Sequence, residues 1–264
     1  MPNPESLPAN AHPDAAADAA TPLVAPPAAL PALGAVSARI RGISSMATRA
    51  LLADLAAGYR PIQTVQVVFE SVGGVHAASR VLAGEAFDLV VLASDAIDGL
   101  IAAGRLLAGS KTDLVHSGVA VAVRAGAQPP DIGTEHALRQ AVLAASRIGY
   151  STGPSGVQLL QLFQRWGITD AMQGRLVQAP PGVPVGALVA RGDVALGFQQ
   201  RSELIHLPGI QVVGPLPVAV QINTVFSAGL CTGGTQPQAV RALIDYLASP
   251  LTDEAKRHHG MLPA

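Results

Sequence analysis

From Arg39 onward, short apolar runs alternate with stretches whose apolar positions recur three and four residues apart, the patterns of buried strands and amphipathic helices. The first run, Arg39-Ile40-Arg41-Gly42-Ile43, predicts a strand, Ser44-Ser45 a turn and helix start, and residues 46–57 a helix. The same order recurs twice. Residues 65–69 predict a strand, Glu70-Ser71-Val72-Gly73-Gly74 a loop and 75–83 a helix; then 87–92 predict a buried strand, Ala93-Ser94-Asp95 a corner and 96–103 a helix. Three such units in succession imply parallel strands joined by right-handed crossovers.

A longer strand is predicted over 115–123, followed by Arg124-Ala125-Gly126 and Pro129-Pro130, after which the pattern restarts. Helix 134–146, strand 147–150, helix 157–166, strand 176–178, helix 185–190 and strand 195–198 form the second series. The apolar stretch 218–230 is long enough to lead back, and 238–247 is an amphipathic helix that completes the first series. The economical architecture is α/β with two lobes, lobe I from 38–122 plus 226–264 and lobe II from 123–225. The chain then crosses between them near 120–124 and near 221–227.

Residues 1–37 do not share this pattern. Prolines at 2, 4, 8, 13, 22, 26, 27 and 31 in an Ala-rich background forbid a steady helix or ladder, so the segment is expected to be disordered. Val36-Ser37-Ala38 resembles a signal-peptidase site, yet the preceding segment carries Glu5, Asp14 and Asp18 with no Lys or Arg, and Pro26, Pro27 and Pro31 break its apolar part. As it stands the sequence reads as cytoplasmic; a misassigned start site would make it periplasmic.

With 49% hydrophobic but only 3% aromatic residues, the core is expected to be built from Ala, Val, Leu and Ile. A net charge of −1 and the lack of a basic stripe leave a nucleic-acid partner without an electrostatic footprint. The single cysteine, Cys231, makes no internal disulfide and, without a Cys/His cluster, no zinc site. His258-His259 reads as a solvated helix end, because adjacent residues do not share a helix face. No apolar run approaches the ~18 residues of a membrane span. No metal or organic cofactor is implied, and a monomer is expected.

The candidate chemistry lies at the strand ends. Tyr150-Ser151-Thr152-Gly153-Pro154-Ser155-Gly156-Val157 joins a predicted strand to a predicted helix. It is either a tight loop or a cradle in which free N–H groups and hydroxyls meet a small anion. Ser44-Ser45, Ser71 with Gly73-Gly74, and Ser94 fall at equivalent corners. In open parallel sheets these ends face one crevice, where ligands bind. A lone serine there is an ordinary helix cap; four serine-bearing corners on two lobes point to an anion site.

Ile43-Ser44-Ser45-Met46-Ala47-Thr48-Arg49-Ala50-Leu51, the Glu70–Gly74 loop, Phe87-Asp88-Leu89-Val90-Val91-Leu92-Ala93-Ser94-Asp95, the Gly153–Gly156 corner and the run from Val185 to Gln200 together resemble the type II periplasmic solute-binding fold, in its molybdate-binding group. The resemblance spans about 39–263. It implies two lobes, each a mostly parallel sheet flanked by helices, with a ligand cleft between them. It further implies an anion held by Ser45, Ser71 and the Gly73 and Gly74 amides, and by the second-lobe loops at Ser155 and Val185. Where molybdate binders commonly offer a Tyr, this sequence has Gln199-Gln200. Tyr150–Val157, Gly197-Phe198-Gln199-Gln200-Arg201-Ser202-Glu203-Leu204, Gly214-Pro215-Leu216-Pro217 and Thr224–Leu230 resemble more nearly the branch that includes aconitate isomerase.

Three functions compete on these residues. A solute-binding subunit holds a molybdate-like oxyanion or a di- or tricarboxylate, and serves an ABC permease if the chain is exported. An isomerase interconverting trans- and cis-aconitate needs a group that removes a proton α to a carboxylate and returns it at the γ position. Tyr150, His76 and Glu203 are the titratable candidates for that catalysis, with Glu70 a further carboxylate near a loop end. Each has an ordinary structural role as well: strand-end packing for Tyr150, a helix surface for His76, the first turn of a helix for Glu203. A cytosolic sensor needs the same cleft, but no signalling domain accompanies it.

Overall fold

The computed structural model describes residues 38–59 and 65–264. The expected disordered segment 1–37 lies outside them. Strands β1 (Ala38–Ser45), β2 (Val65–Val72) and β3 (Leu89–Ala93) are each followed by a helix: α1 (Arg49–Tyr59), reached through a 3₁₀ turn at Met46–Thr48, α2 (Gly74–Leu82) and α3 (Ser94–Ala102). β1 pairs in parallel with both β2 and β3. All five residues of β3 are buried, because helices cover both faces. Leu89 and Val91 pack with Leu51, Leu52 and Leu55 of α1, while Val90 and Leu92 pack with Ala77 and Val81 of α2 and Ile97 of α3. This double burial is why the strand reads as a continuous apolar run.

β4 (Thr112–Arg124) is the longest strand and joins the two halves of one ten-stranded sheet. Its first half pairs with β9 (Asn223–Leu230), which lies antiparallel between β3 and β4. From Val119 onward it pairs instead with β7 (Leu196–Gln200) and β8 (Ile210–Pro215). The change of partner falls between Gly118 and Val119, whereas apolar pattern alone drew the lobe boundary at 122/123. Periodicity is continuous through β4 and does not mark where a strand changes partners.

Lobe II also contains α4 (Glu135–Ala144), β5 (Ile148–Tyr150), α5 (Pro154–Arg165), β6 (Leu176–Gln178), α6 (Val185–Arg191) and α7 (Arg201–Leu204). β5 lies parallel to both β6 and β7. Val119, Val121 and Val123 meet Leu138, Leu159 and Phe163 on one face of this sheet; Ala120 and Ala122 admit Leu204 of α7 on the other. The chain returns through β9 and closes lobe I with α8 (Pro237–Ala248), α9 (Asp253–His258) and β10 (Leu262–Pro263), which pairs with β4. The lobes adjoin closely enough that Ala35–Ala264 forms one compact unit.

Candidate functional site

Strand register brings the two sets of corners to the same place. β3 ends at Ala93 opposite Phe226, while β9 continues back to Asn223, which faces Gly118 of β4. One residue further along β4, Val119 faces Gln200, the last residue of β7. The C-terminal ends of β1–β3 and those of β5–β7 therefore point toward each other across the β4 crossing, the arrangement in which α/β sheets bind ligands.

In lobe I, parallel register sets Ser44 beside Ser71. Their hydroxyls share a hydrogen bond of 2.8 Å, and Ser44 is fully buried. Ser45 caps the 3₁₀ turn, its Oγ accepting from the Ala47 amide at 3.3 Å. Gly73 is the N-cap of α2 and makes no side-chain cap bond. A Cβ at Gly74 would stand 3.7 Å from Ser45 Oγ, so the two corners touch. Ser94 opens α3 and is partly buried.

In lobe II, the corner after β5 is a structured cap. Gly153 takes the N-cap position of α5 and Pro154 the first helical position, where its fixed φ suits the helix and its missing N–H is no loss. Ser151 and Ser155 share a hydrogen bond of 3.1 Å. Ser155 and Gly156 are buried in the first turn. A Cβ built on Gly156 would fall on the Ser151 carbonyl oxygen, so the chain passes too close here for any side chain.

Gln199 links three elements. Its Oε1 accepts from the Val185 amide at 2.7 Å, and its Nε2 donates to Glu203 Oε2 at 2.7 Å. The Val185 N–H, a nominated ligand donor, is therefore bonded to the protein's own amide, and a ligand would have to displace Gln199 to reach it. Burial raises the Glu203 carboxyl to about 7, against the lowering effect of the Gln199 hydrogen bond. Gln200 Nε2 donates to Thr224 Oγ1 at 2.8 Å, joining β7 of lobe II to β9 of lobe I. Gln200 Oε1, Ser117 Oγ and Ser202 Oγ are buried without a partner among the described residues. Ser117 faces Thr224 in register and Gln200 faces Val119, so Ser117, Thr224 and Gln200 project on one face at the crossing.

Sequence reasoning missed Ser117 and Thr224. The available signal was a hydroxyl residue inside each of two apolar runs that cross between lobes.

Of the other catalytic candidates, Tyr150 lies beside Phe198 of β7 in parallel register, whereas His76 is on α2 of lobe I. Tyr150 ends β5 half-buried against the lobe II core. His76 is exposed on α2. No hydrogen bond joins Tyr150, His76 and Glu203 among the described residues. Glu70 is ion-paired with Arg80, which also binds Glu85, and the Arg80 hydrogen bond holds its carboxyl below the ordinary range; it is a poor base.

Two cavities lie elsewhere. One of about 500 Å³ is bordered by Arg124, Arg147 and Leu196, at the opposite end of β7 from Gln200; one of about 300 Å³ is bordered by Gln158, Arg165 and Gln221. No nominated residue lines either. At the strand ends Ser155, Gln199 and Gln200 are buried. Among the described residues no group of three or more His, Cys, Asp or Glu side chains is disposed to hold a metal, and no helix is long and apolar enough to cross a membrane.

Comparison with known proteins agrees with this architecture. Residues 40–262 match the model of a family described as bacterial extracellular solute-binding protein. An aconitate isomerase of Pseudomonas sp. is 36% identical over 186 residues, 70% of this chain and 71% of that protein. The molybdate-binding protein ModA of Azotobacter vinelandii is 29% identical over 115 residues, 41% of this chain and 44% of that one. Among solved structures, the periplasmic molybdate-binding protein of Azotobacter vinelandii superposes with a TM-score of 0.71 at 18% identity, covering 84% of this chain and 98% of that one. At that identity the likeness concerns the fold.

Proposed function

This chain belongs to the bacterial extracellular solute-binding protein family, and from that premise we propose that it binds a small polycarboxylate anion between the facing strand ends of its two lobes. The observation that carries the proposal is the side-chain chemistry at the end of β7. Gln199 and Gln200 supply amide donors and acceptors at a position where a single phenol would supply one hydroxyl. An ionised polycarboxylate only accepts, so it uses the two NH2 groups as donors in exchange for Glu203 and Thr224, while the unpartnered Gln200 Oε1 suits a hydroxyl or a protonated carboxyl of the same ligand. Ser45, Ser71 and Ser155 complete the donor set. As a transport subunit, the protein would hand this anion to an ABC permease.

A second reading, isomerisation of aconitate, is favoured by Glu203 and by the 36% identical relative. A carboxyl with a pKa of about 7 is divided between its two protonation states near neutrality, so it can both take and return a proton. The carboxylate removes a proton from the carbon α to a substrate carboxylate, the electron pair delocalises through the adjacent C=C bond, and the resulting carboxyl, whose proton can exchange with solvent, returns a proton at the γ carbon. Nothing is gained or lost overall.

Incubation with trans-aconitate in deuterated water separates the readings. Ultraviolet absorbance reports the shift of the double bond, deuterium uptake reports the proton transfer, and calorimetry with citrate, cis-aconitate, trans-aconitate and molybdate reports binding. Heat of binding from a carboxylate without turnover supports a binding protein. Turnover that Glu203→Gln removes while binding persists supports the isomerase. Tight molybdate binding with no response to any carboxylate defeats both.

A further inference from the structure

Three histidines far apart in sequence meet where the lobes adjoin. His206 follows α7 in lobe II; His258 ends α9 in lobe I and His259 follows it. The ring centroids of His206 lie 5.5 Å from His258 and 5.4 Å from His259, and those of His258 and His259 are 5.2 Å apart. The surrounding contact is close. α7 packs on the 3₁₀ turn of lobe I, and a Cβ at Gly260 would stand 3.3 Å from Arg201 Cγ and 3.6 Å from Ile205 Cδ1.

Among the described residues no hydrogen bond or ion pair joins a carboxylate to His206 or His258. Asp54 of α1 meets only His259, at 3.2 Å from Nε2, and His259 Nδ1 is buried without a partner among the described residues. Asp253 of α9 is engaged by Lys256 at 3.7 Å and Arg257 at 3.6 Å, while Glu203 of α7 is bonded to Gln199. Exposed Glu254 is the remaining carboxylate of α9; Arg201 on α7 and Arg257 on α9 add positive charge.

We propose that His206, set against His258 and His259, forms an acid-sensitive contact between the lobes: a neutral His206 imidazole allows α7 to pack on the α9 end, and its protonation loosens it. Burial and the two neighbouring imidazoles hold His206 below the ordinary histidine value. The sign follows. A lowered pKa in the packed form means that the loosened form takes up the proton first, so packing is intact above ~6.5 and weakens as pH falls through that value toward the lowered one. One full proton of linkage would change the ratio of loosened to packed forms about tenfold per pH unit. His206 and His258 keep contact with water, so the expected change is a several-fold rise in loosening between pH 7.5 and 5.

The test uses the full chain without added ligand and with a metal chelator present. Imidazole resonances followed against pH should place the His206 midpoint below the ordinary value. Amide exchange over 204–207 and 257–261, corrected for intrinsic rates, should accelerate several-fold from pH 7.5 to pH 5, and less in about 0.5 M salt, where the Debye length falls to a few ångströms. His206→Asn, or His258→Gln should the first variant fold poorly, should remove most of that acceleration. Comparing parent and variant at each pH cancels the separate titration of Glu203. A His206 midpoint at or above the ordinary value, or a variant with the parent's pH dependence, overturns the proposal.

Discussion

Two glycines three residues apart, Gly153 and Gly156, should differ sharply in their tolerance of alanine. At Gly153 the backbone is extended, φ −81° and ψ −177°, and a Cβ would meet only Ser151 Oγ at 4.0 Å. The loss of unfolded-chain entropy favours alanine by about 0.4–1 kcal/mol, and alanine's poorer N-capping offsets a similar amount. The net change should lie within about 0.5 kcal/mol. At Gly156 the added methyl falls on the Ser151 carbonyl oxygen, with the carbonyl carbon at 3.0 Å and Ser151 Oγ at 3.3 Å. Backbone cannot rotate aside as a flexible side chain can, so the Ser151–Ser155 corner must move. Overpacking of this kind costs about 1–3 kcal/mol, and a backbone obstacle argues for the upper half of that range. At roughly 2–4 °C per kcal/mol for a domain of this size, Tm should fall by about 4–12 °C. Thermal unfolding followed by circular dichroism, beside calorimetric titration with the best-bound carboxylate, measures both consequences. Equal Tm and equal affinity for the two variants would refute the close-approach argument and leave the corner as an ordinary loop.

Glu203→Gln should raise stability at pH 8 and leave it nearly unchanged at pH 4. A carboxyl raised from 4.5 to about 7 carries a penalty that is absent below the lower value, grows as pH rises between the two and is complete above the higher, about 3.5 kcal/mol from 1.4 kcal/mol per unit; urea midpoints at the two pH values check this. Thr224→Val removes the 2.8 Å partner of Gln200 Nε2 and leaves a buried amide with neither end satisfied. A loss of about 1–3 kcal/mol is expected, and Gln200→Leu combined with Thr224→Val should recover part of it.

Much of lobe I is legible in the sequence because β1, β2 and β3 are bounded by serine and glycine corners and followed by helical periodicity. The direction of β9 is not. An apolar run reads the same whether it pairs parallel or antiparallel, and only the register of Ala93 with Phe226 fixes the choice. β8 was missed because most of its residues are half-buried, so neither alternation nor a continuous apolar run marks it. At the site, the serine corners follow from topology, whereas Gln199 and Gln200 are nominated by family resemblance alone. The Val185–Gln199–Glu203 chain required side-chain directions that spacing does not carry. Of the expected solvated helix end, His258 is exposed, while His259 is buried because His206 of the other lobe and Asp54 meet it.

The shared strand has a bearing on how the chain is made. Lobe II is uninterrupted from Val119 to Ile222, so both neighbours of the second half of β4 leave the ribosome before β9 does. Lobe I is completed differently: β3 and β4 emerge early but lie two positions apart in the sheet, and β9 fills the space between them. At about 5–20 residues per second, β3 waits roughly 7–27 s for that partner. During the wait two apolar strand edges lie unpaired in a nascent chain. The first lobe to begin is thus the last to finish: an antiparallel strand must enter a gap between two strands already synthesised before α8, α9 and β10 can complete the lobe.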